Sequence, residues 1–218
     1  MKKLGIYGAG GLGREVLILA NRINAERKQW SDFFFIDDAF STGELKGIGR
    51  LSFEDFVKDH RDAEVVIAVG EPSIREVLAH KVEAAAVPLV TLVHPGVEVP
   101  ACTKVGAGTI ICGGCFISCD VEIEKNVLLQ PNASVGHDSR IGSHSIISTY
   151  VSIAGACEIG RRVYIGLNAA VREKTTIGDD AIVGMGAAVF SDIPEAVIAL
   201  GNPARVMREN AERRVFKS

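Results

Sequence analysis

The chain has 218 residues, 47% of them apolar, and a formal net charge of −3 from 24 basic and 27 acidic side chains. That length supports one or two domains with a buried core, and the near-neutral balance argues against binding nucleic acid or an anionic membrane surface. No stretch approaches the roughly 18 uninterrupted apolar residues of a membrane span.

The opening pair Lys2-Lys3 precedes an apolar stretch, but this is Gly-rich and runs into Arg14 and Glu15, so it reads as a strand and turn and a cytoplasmic location is expected. Leu4 to Tyr7 is a short apolar strand, followed by the loop Gly8-Ala9-Gly10-Gly11-Leu12-Gly13. Arg14 to Ile23 carries apolar residues at helical spacing. A second strand, Phe33 to Ile36, ends at Asp37-Asp38; a short helix near Phe53 to Lys58, a strand Val65 to Val69, a helix Ser73 to Ala84 and a strand Leu89 to Val93 follow. Alternating strands and helices of this length predict a small parallel α/β unit of the nucleotide-binding type over residues 1–92.

The glycine loop matches G-x-G-x-x-G between a strand and a helix, where bare N–H groups and a helix N-terminus suit a phosphate, and the acids after the next strand suit ribose or base. That chemistry fits a nucleotide sugar, a dinucleotide, or a purely structural glycine turn. About ninety residues are half a dinucleotide fold, and nothing downstream looks like a dehydrogenase substrate domain, which favours the nucleotide sugar.

From Val93 to Val189 every sixth residue is aliphatic, through seventeen successive hexads, and the residue four places after each is small or β-branched. A period of six fits neither helix nor lone strand; it predicts a hexapeptide parallel β-helix over residues 93–194, three hexads to a triangular coil. Five to six coils at the strand spacing make a prism about 27 Å long. Eleven of the seventeen fourth positions are Gly, Asn or Asp, the residues that tolerate positive φ at a corner. The third hexad position, also on a corner, is occupied by His137, and one coil on, eighteen residues later, by Gly155, about 4.8 Å away. Residues 195–218 form a C-terminal segment whose basic side chains, among them Arg205, Arg208 and Arg213, suggest a solvated helix.

Cys112, Cys115 and Cys119 occupy hexad positions two, five and three and so point in different directions; no metal site is expected there. His144 falls on a turn position and reads as a solvated corner, and His94 as a domain-junction residue.

The order Ile6-Tyr7-Gly8-Ala9-Gly10-Gly11-Leu12-Gly13, Asp37-Asp38, Ile67-Ala68-Val69-Gly70 with Arg75 downstream, Val135-Gly136-His137-Asp138 and Gly201-Asn202-Pro203-Ala204 resembles the bacterial sugar acetyltransferases of the NeuD/PglD type. The resemblance implies a Rossmann-like domain followed by a left-handed β-helix, a homotrimer, and acetyl transfer from acetyl-CoA to a nucleotide-linked 4-amino-6-deoxy sugar. It implies that His137 is the catalytic base and Asp138 its acidic neighbour, that Gly10, Gly11, Leu12, Asp37 and Asp38 contact the sugar nucleotide, and that Ile146, Gly155, Leu167 and Met185 contact acetyl-CoA. Many members carry histidine where this chain has Leu12, and some where it has Ile146.

Acyl transfer needs a base for the nucleophile's proton and a donor for the developing oxyanion; a neutral imidazole at His137 beside a backbone N–H at Gly155 would meet both needs. Three other functions compete. Sialic acid O-acetylation shares the fold. A metal-dependent carbonic anhydrase needs three histidines, and His137 and His144 lack a clear third partner. A non-catalytic β-helix scaffold needs none.

Overall fold

The computed structural model describes residues 1–39, 42–60 and 62–216. Strands β1 (Lys2–Tyr7), β2 (Trp30–Ile36), β3 (Gly43–Leu45), β4 (Ile48–Leu51) and β5 (Ala63–Ile67) form one sheet in the order β3-β4-β2-β1-β5. All pairs are parallel except β3 with β4. β1 lies between β2 and β5, with Leu4 and Ile6 fully buried, which is why its sequence is a continuous apolar run.

Helix α1 (Gly11–Arg27) extends beyond the expected Arg14–Ile23 at both ends, stopping where Lys28 turns left-handed at φ 49°. α2 (Phe53–Asp59) is capped by the Ser52 hydroxyl, and α3 (Pro72–Ala84) begins on a proline whose missing N–H costs nothing there. The β3–β4 hairpin was not anticipated; its turn, Lys46-Gly47, has φ of 51° and 78°, the left-handed pair that matches hairpin twist. The expected strand Leu89 to Val93 is divided, Leu89 bridging to Val65 of the sheet and Leu92–Val93 forming the first rung of the prism.

From Leu92 onward two-residue rungs pair in parallel with the rung eighteen residues later, as in Glu122–Ile123 on Arg140–Ile141. The second residue of each rung points inward, and Ile111, Leu129, Ile147 and Ile165 are fully buried in one continuous core. The fourth hexad position has φ between 54° and 75° at every hexad from Gly108 to Gly186. The corner is therefore set by the repeat and imposed even on His144, Tyr150, Ala156, Arg162 and Lys174, whose side chains disfavour it. Hydroxyls at the fifth position bond to the next layer: Thr109 Oγ1 donates to Glu124 O at 2.9 Å and Ser145 Oγ to Gly160 O at 2.8 Å.

The outward residues differ by face. One face shows Lys104, Glu122, Arg140, Glu158 and Thr176. A second shows Leu92, Ile110, Leu128 and Ile146, and these four share a single apolar core with Leu4, Ile6, Val16 and Leu19 of the N-terminal unit. The third shows Phe116, Ser134, Ser152, Ala170 and Ala188.

Polar groups complete the docking of the N-terminal unit. Arg75, fully buried, donates to the carbonyls of Ile67 (2.7 Å), Val69 (3.1 Å) and Asn126 (2.9 Å) and to Asn126 Oδ1 (2.6 Å); burial pulls its pKa down to about 9. Asn126 Nδ2 in turn meets His144 Nδ1 at 3.0 Å. An amide nitrogen only donates, so the His144 hydrogen is on Nε2, 4.0 Å from Glu76. His144 is thus 2% exposed and not a solvated corner: the N-terminal unit covers it. Arg162 joins Glu76 to Asp180. His94 does stand at the junction, 3.2 Å from Arg22 of α1.

The C-terminal segment is a hairpin, not a helix. Val197–Leu200 pairs in parallel with Ile182–Val183, and Arg205–Glu209 returns antiparallel to it. Gly201-Asn202-Pro203 interrupts any helical run, and the open edge of the last coil supplies pairing partners for a β-branched segment. Among the described residues, no helix is long and apolar enough to cross a membrane.

Candidate active site

Two regions carry the expected chemistry. The first is a cleft of about 450 Å³ at the carboxyl ends of β1, β2 and β5, lined by Tyr7 to Leu12, Ile36 to Ala39 and Ala68 to Gly70. Gly8 has φ 121°, and a side chain on Gly13 would collide with the Gly8 carbonyl, so this loop can pass over α1 only with glycine at both places. Gly10 caps α1 without a side chain and the first turn carries no acid, leaving its N–H groups free for an anion. Leu12 lines the cleft and packs on the shared core below it.

The two aspartates have separate duties. Asp37 accepts from Ala39 N at 3.1 Å and lines the cleft. Asp38 takes a hydrogen bond from Tyr7 Oη, one from Phe53 N at 2.9 Å and an ion pair from Lys81 at 2.6 Å. Desolvation works against its charge, but the bonds from Lys81, Phe53 and Tyr7 outweigh it and hold the carboxyl below its ordinary range. Burial and the neighbouring Asp38 push the Tyr7 phenol well up, so it stays a neutral donor. Sequence spacing did not mark Tyr7 or Lys81.

The second region is a prism corner between the small-residue face and the charged face. His137 projects outward with 61% of its side chain exposed, and Nδ1 lies 2.7 Å from Asp138 Oδ2. A carboxylate accepts, so the neutral ring carries its hydrogen on Nδ1 and leaves the Nε2 lone pair free. Asp138 itself sits at φ 57°, which is what brings its carboxylate alongside the preceding residue. The ring lies over Gly155, where a Cβ would come within 2.6 Å of Nε2. Neighbouring amides are occupied, Ala154 N by Val171 O at 3.0 Å and Ala156 N by His137 O at 2.7 Å; among the described residues none accepts from Gly155 N.

Leu167 and Met185 stack one coil apart, 45% and 75% exposed, at the other corner of the small-residue face. Within one chain they and the His137–Gly155 pair therefore stand on different edges. Ile146 departs from the expectation altogether: it is 1% exposed within the core shared by prism and sheet, so its side chain is closed to a coenzyme. Cys112 and Cys115 are thiols that burial pushes up to about 12 and about 11, whereas Cys119 is exposed.

The family model for the PglD N-terminal domain matches residues 3–82, and that for six bacterial transferase hexapeptide repeats matches 120–155. The acetyltransferase domain of PglB from Neisseria gonorrhoeae superposes with a TM-score of 0.87 at 26% identity, over 95% of this chain and 100% of that one. The two family matches and this superposition are consistent with the NeuD/PglD-type sugar acetyltransferases. Its prism is a left-handed parallel β-helix, as the hexapeptide-repeat match and the superposition show. PerB from Caulobacter crescentus, solved with CoA and GDP-perosamine, gives a TM-score of 0.84 at 26% identity, covering 94% of this chain and 97% of that one. GDP-perosamine N-acetyltransferase of Escherichia coli O157:H7 is 29% identical over 141 residues, and the match spans 63% of each protein's length.

Proposed function

We propose that the chain is an acetyl-CoA-dependent N-acetyltransferase acting on a nucleotide-linked 4-amino-6-deoxy sugar, with residues 1–92 holding the nucleotide, 93–194 the chemistry and 195–218 a C-terminal segment. The observation that carries the reading is the exposed imidazole of His137, tied through Nδ1 to Asp138, with Nε2 free above Gly155. The relatives described with acetyl coenzyme A, or with CoA and GDP-perosamine, support both co-substrates.

In this mechanism the amine attacks the thioester carbonyl while Nε2 of His137 takes its proton, and the resulting imidazolium is stabilised by Asp138. The N–H of Gly155 donates to the oxyanion of the tetrahedral intermediate. Collapse expels the CoA thiolate, which takes the proton back from His137, so the base is regenerated. Gly10, Gly11 and the start of α1 bind the diphosphate, and Asp37 the ribose or base.

A homotrimer is part of the proposal. Of the prism's three faces, one is covered by the chain's own N-terminal unit and one is charged; the third presents Phe116, Ser134, Ser152, Ala170 and Ala188, small or apolar and open. The exposed apolar residues Tyr150, Leu167 and Met185 border it. Packing such faces about a three-fold axis would bring the Leu167–Met185 edge of one protomer to the His137 edge of the next and complete an acetyl-CoA site between them. The cytoplasmic location belongs to the same proposal.

Turnover of UDP-, dTDP- and GDP-linked 4-amino sugars, assayed beside free and CMP-linked sialic acid, tests the reading. Activity on sialic acid alone would replace it with O-acetylation. His137→Ala should lower kcat by roughly 10² to 10⁴ with an unchanged melting temperature, since the side chain is largely exposed; full activity would remove His137 as the base.

A further inference from the structure

The end of the described chain is fastened more firmly than an exposed tail requires. Glu71, 9% exposed, opens α3, and its carboxylate accepts from Ser73 Oγ at 3.4 Å but caps no backbone N–H of that helix's first turn. It accepts instead from Val215 N at 3.0 and 3.1 Å and from Phe216 N at 2.9 Å. Upstream, Asn210, 6% exposed, donates through Nδ2 to Asp180 O at 2.9 Å and accepts from Arg214 N at 3.2 Å, while Arg213 meets Asp180 at 3.2 Å. The segment is thus pinned to the prism at one end and to the N-terminal unit at the other.

These attachments deliver one side chain to a defined place. The Phe216 ring meets Tyr164 edge-on with centroids 5.8 Å apart, and a Cβ on Gly70 would touch it at 3.9 Å. Gly70 lines the nucleotide cleft, and Tyr164 is the outward residue of the rung that follows Ile146 on the docked face. The ring consequently stands at the rim of the cleft on the side facing the β-helix, and 54% of Phe216 remains exposed. The backbone hydrogen bonds to Glu71 fix the ring at this rim, with its outer face left uncovered among the described residues.

We propose that Phe216 is a substrate-binding residue, its exposed ring face receiving the apolar face of the sugar as the sugar nucleotide extends from the cleft toward the prism. This rests on the sugar-nucleotide reading above and adds to it a specificity element outside the glycine loop. A deoxy sugar presents C–H groups and a methyl in place of a hydroxyl, surface that an aromatic ring receives well and water does not. A nucleoside diphosphate held at the glycine loop would make no use of the ring.

Phe216→Ala and Phe216→Tyr in the full chain test the assignment, with the best sugar nucleotide of the panel and its nucleoside diphosphate alone as probes. Phe216→Ala should raise the KM for the sugar nucleotide about tenfold, leave that for acetyl-CoA and the affinity for the nucleoside diphosphate unchanged, and keep the melting temperature; Phe216→Tyr should restore the KM. An unchanged sugar-nucleotide KM, or an equal loss of nucleoside diphosphate binding, would overturn the assignment. If no amino sugar is turned over by the wild-type chain, the acetyl-transfer reading fails on its own, and calorimetric titration with GDP-perosamine and with GDP still decides the role of Phe216: equal GDP-perosamine affinity in wild type and Phe216→Ala sinks it.

Discussion

A methyl group added to Gly155 would stand 2.6 Å from Nε2 of His137. The obstructing atoms belong to an exposed ring that can swing away, so the fold tolerates the change while the base does not keep its place. Gly155→Ala is therefore expected to leave the melting temperature within about 2 °C of wild type and to lower kcat by about 10- to 100-fold, read by steady-state kinetics beside thermal unfolding. At this scale the sequence was informative wherever a residue's function depends on its own repeat frame: the eighteen-residue coil alone placed Gly155 beside His137. It was silent where the partner is remote. Asp38 lines the cleft, and the sequence does not show that Lys81, 43 residues on, pairs with its carboxylate or that Tyr7 approaches from the neighbouring strand. Ile146 failed for a related reason, since hexad position says that a side chain points outward but not that another unit covers it.

Corner geometry belongs to the element. Every fourth hexad position from Gly108 to Gly186 is left-handed, a conformation costing most residues about 1 kcal/mol that asparagine largely escapes. Lys174, exposed and at φ 58°, makes no side-chain hydrogen bond or ion pair among the described residues that would offset the strain. Lys174→Asn is expected to stabilise the chain by about 0.5 to 1 kcal/mol, seen as a higher denaturant midpoint at unchanged m-value; a lower midpoint would contradict the strain. The repeat made the prism legible because each coil uses the same three solutions, an inward aliphatic, a left-handed corner and a small residue after it. The C-terminal segment lacks that redundancy. Its basic side chains suggested a helix, and what decided otherwise was the unpaired edge of the last coil, a partner that local sequence does not show.

Over the whole molecule, stability depends on the polar seam between sheet and prism. Buried against Asn126, Glu76, His80, Lys125 and Arg75, His144 loses its proton at about 4 rather than its ordinary 6.5, chiefly because burial disfavours the charge. Below pH 6.5 the unfolded chain binds a proton that the folded chain refuses, so stability present above that pH is lost as pH falls toward 4, by on the order of 3 kcal/mol. His144→Asn, which keeps a residue tolerant of φ 65°, should flatten that part of the pH dependence in denaturant titrations; an identical slope in both proteins would count against the seam as its source. The proposed trimer makes its own prediction. Ser152→Arg places charge at the centre of the small-residue face, and sedimentation should show monomers with a native circular dichroism spectrum and activity reduced at least about 100-fold; an active trimer would assign the interface elsewhere. The amino-acid sequence by itself determined the prism, its eighteen-residue coil, the glycine loop and the imidazole at a corner, because each arises from local periodicity or from a backbone conformation only certain residues tolerate. Tertiary structure alone decided which face the N-terminal unit covers, how Asp38 is held in the cleft, and where the chain's end is fastened, because those depend on surfaces distant in sequence that come together only in the folded chain.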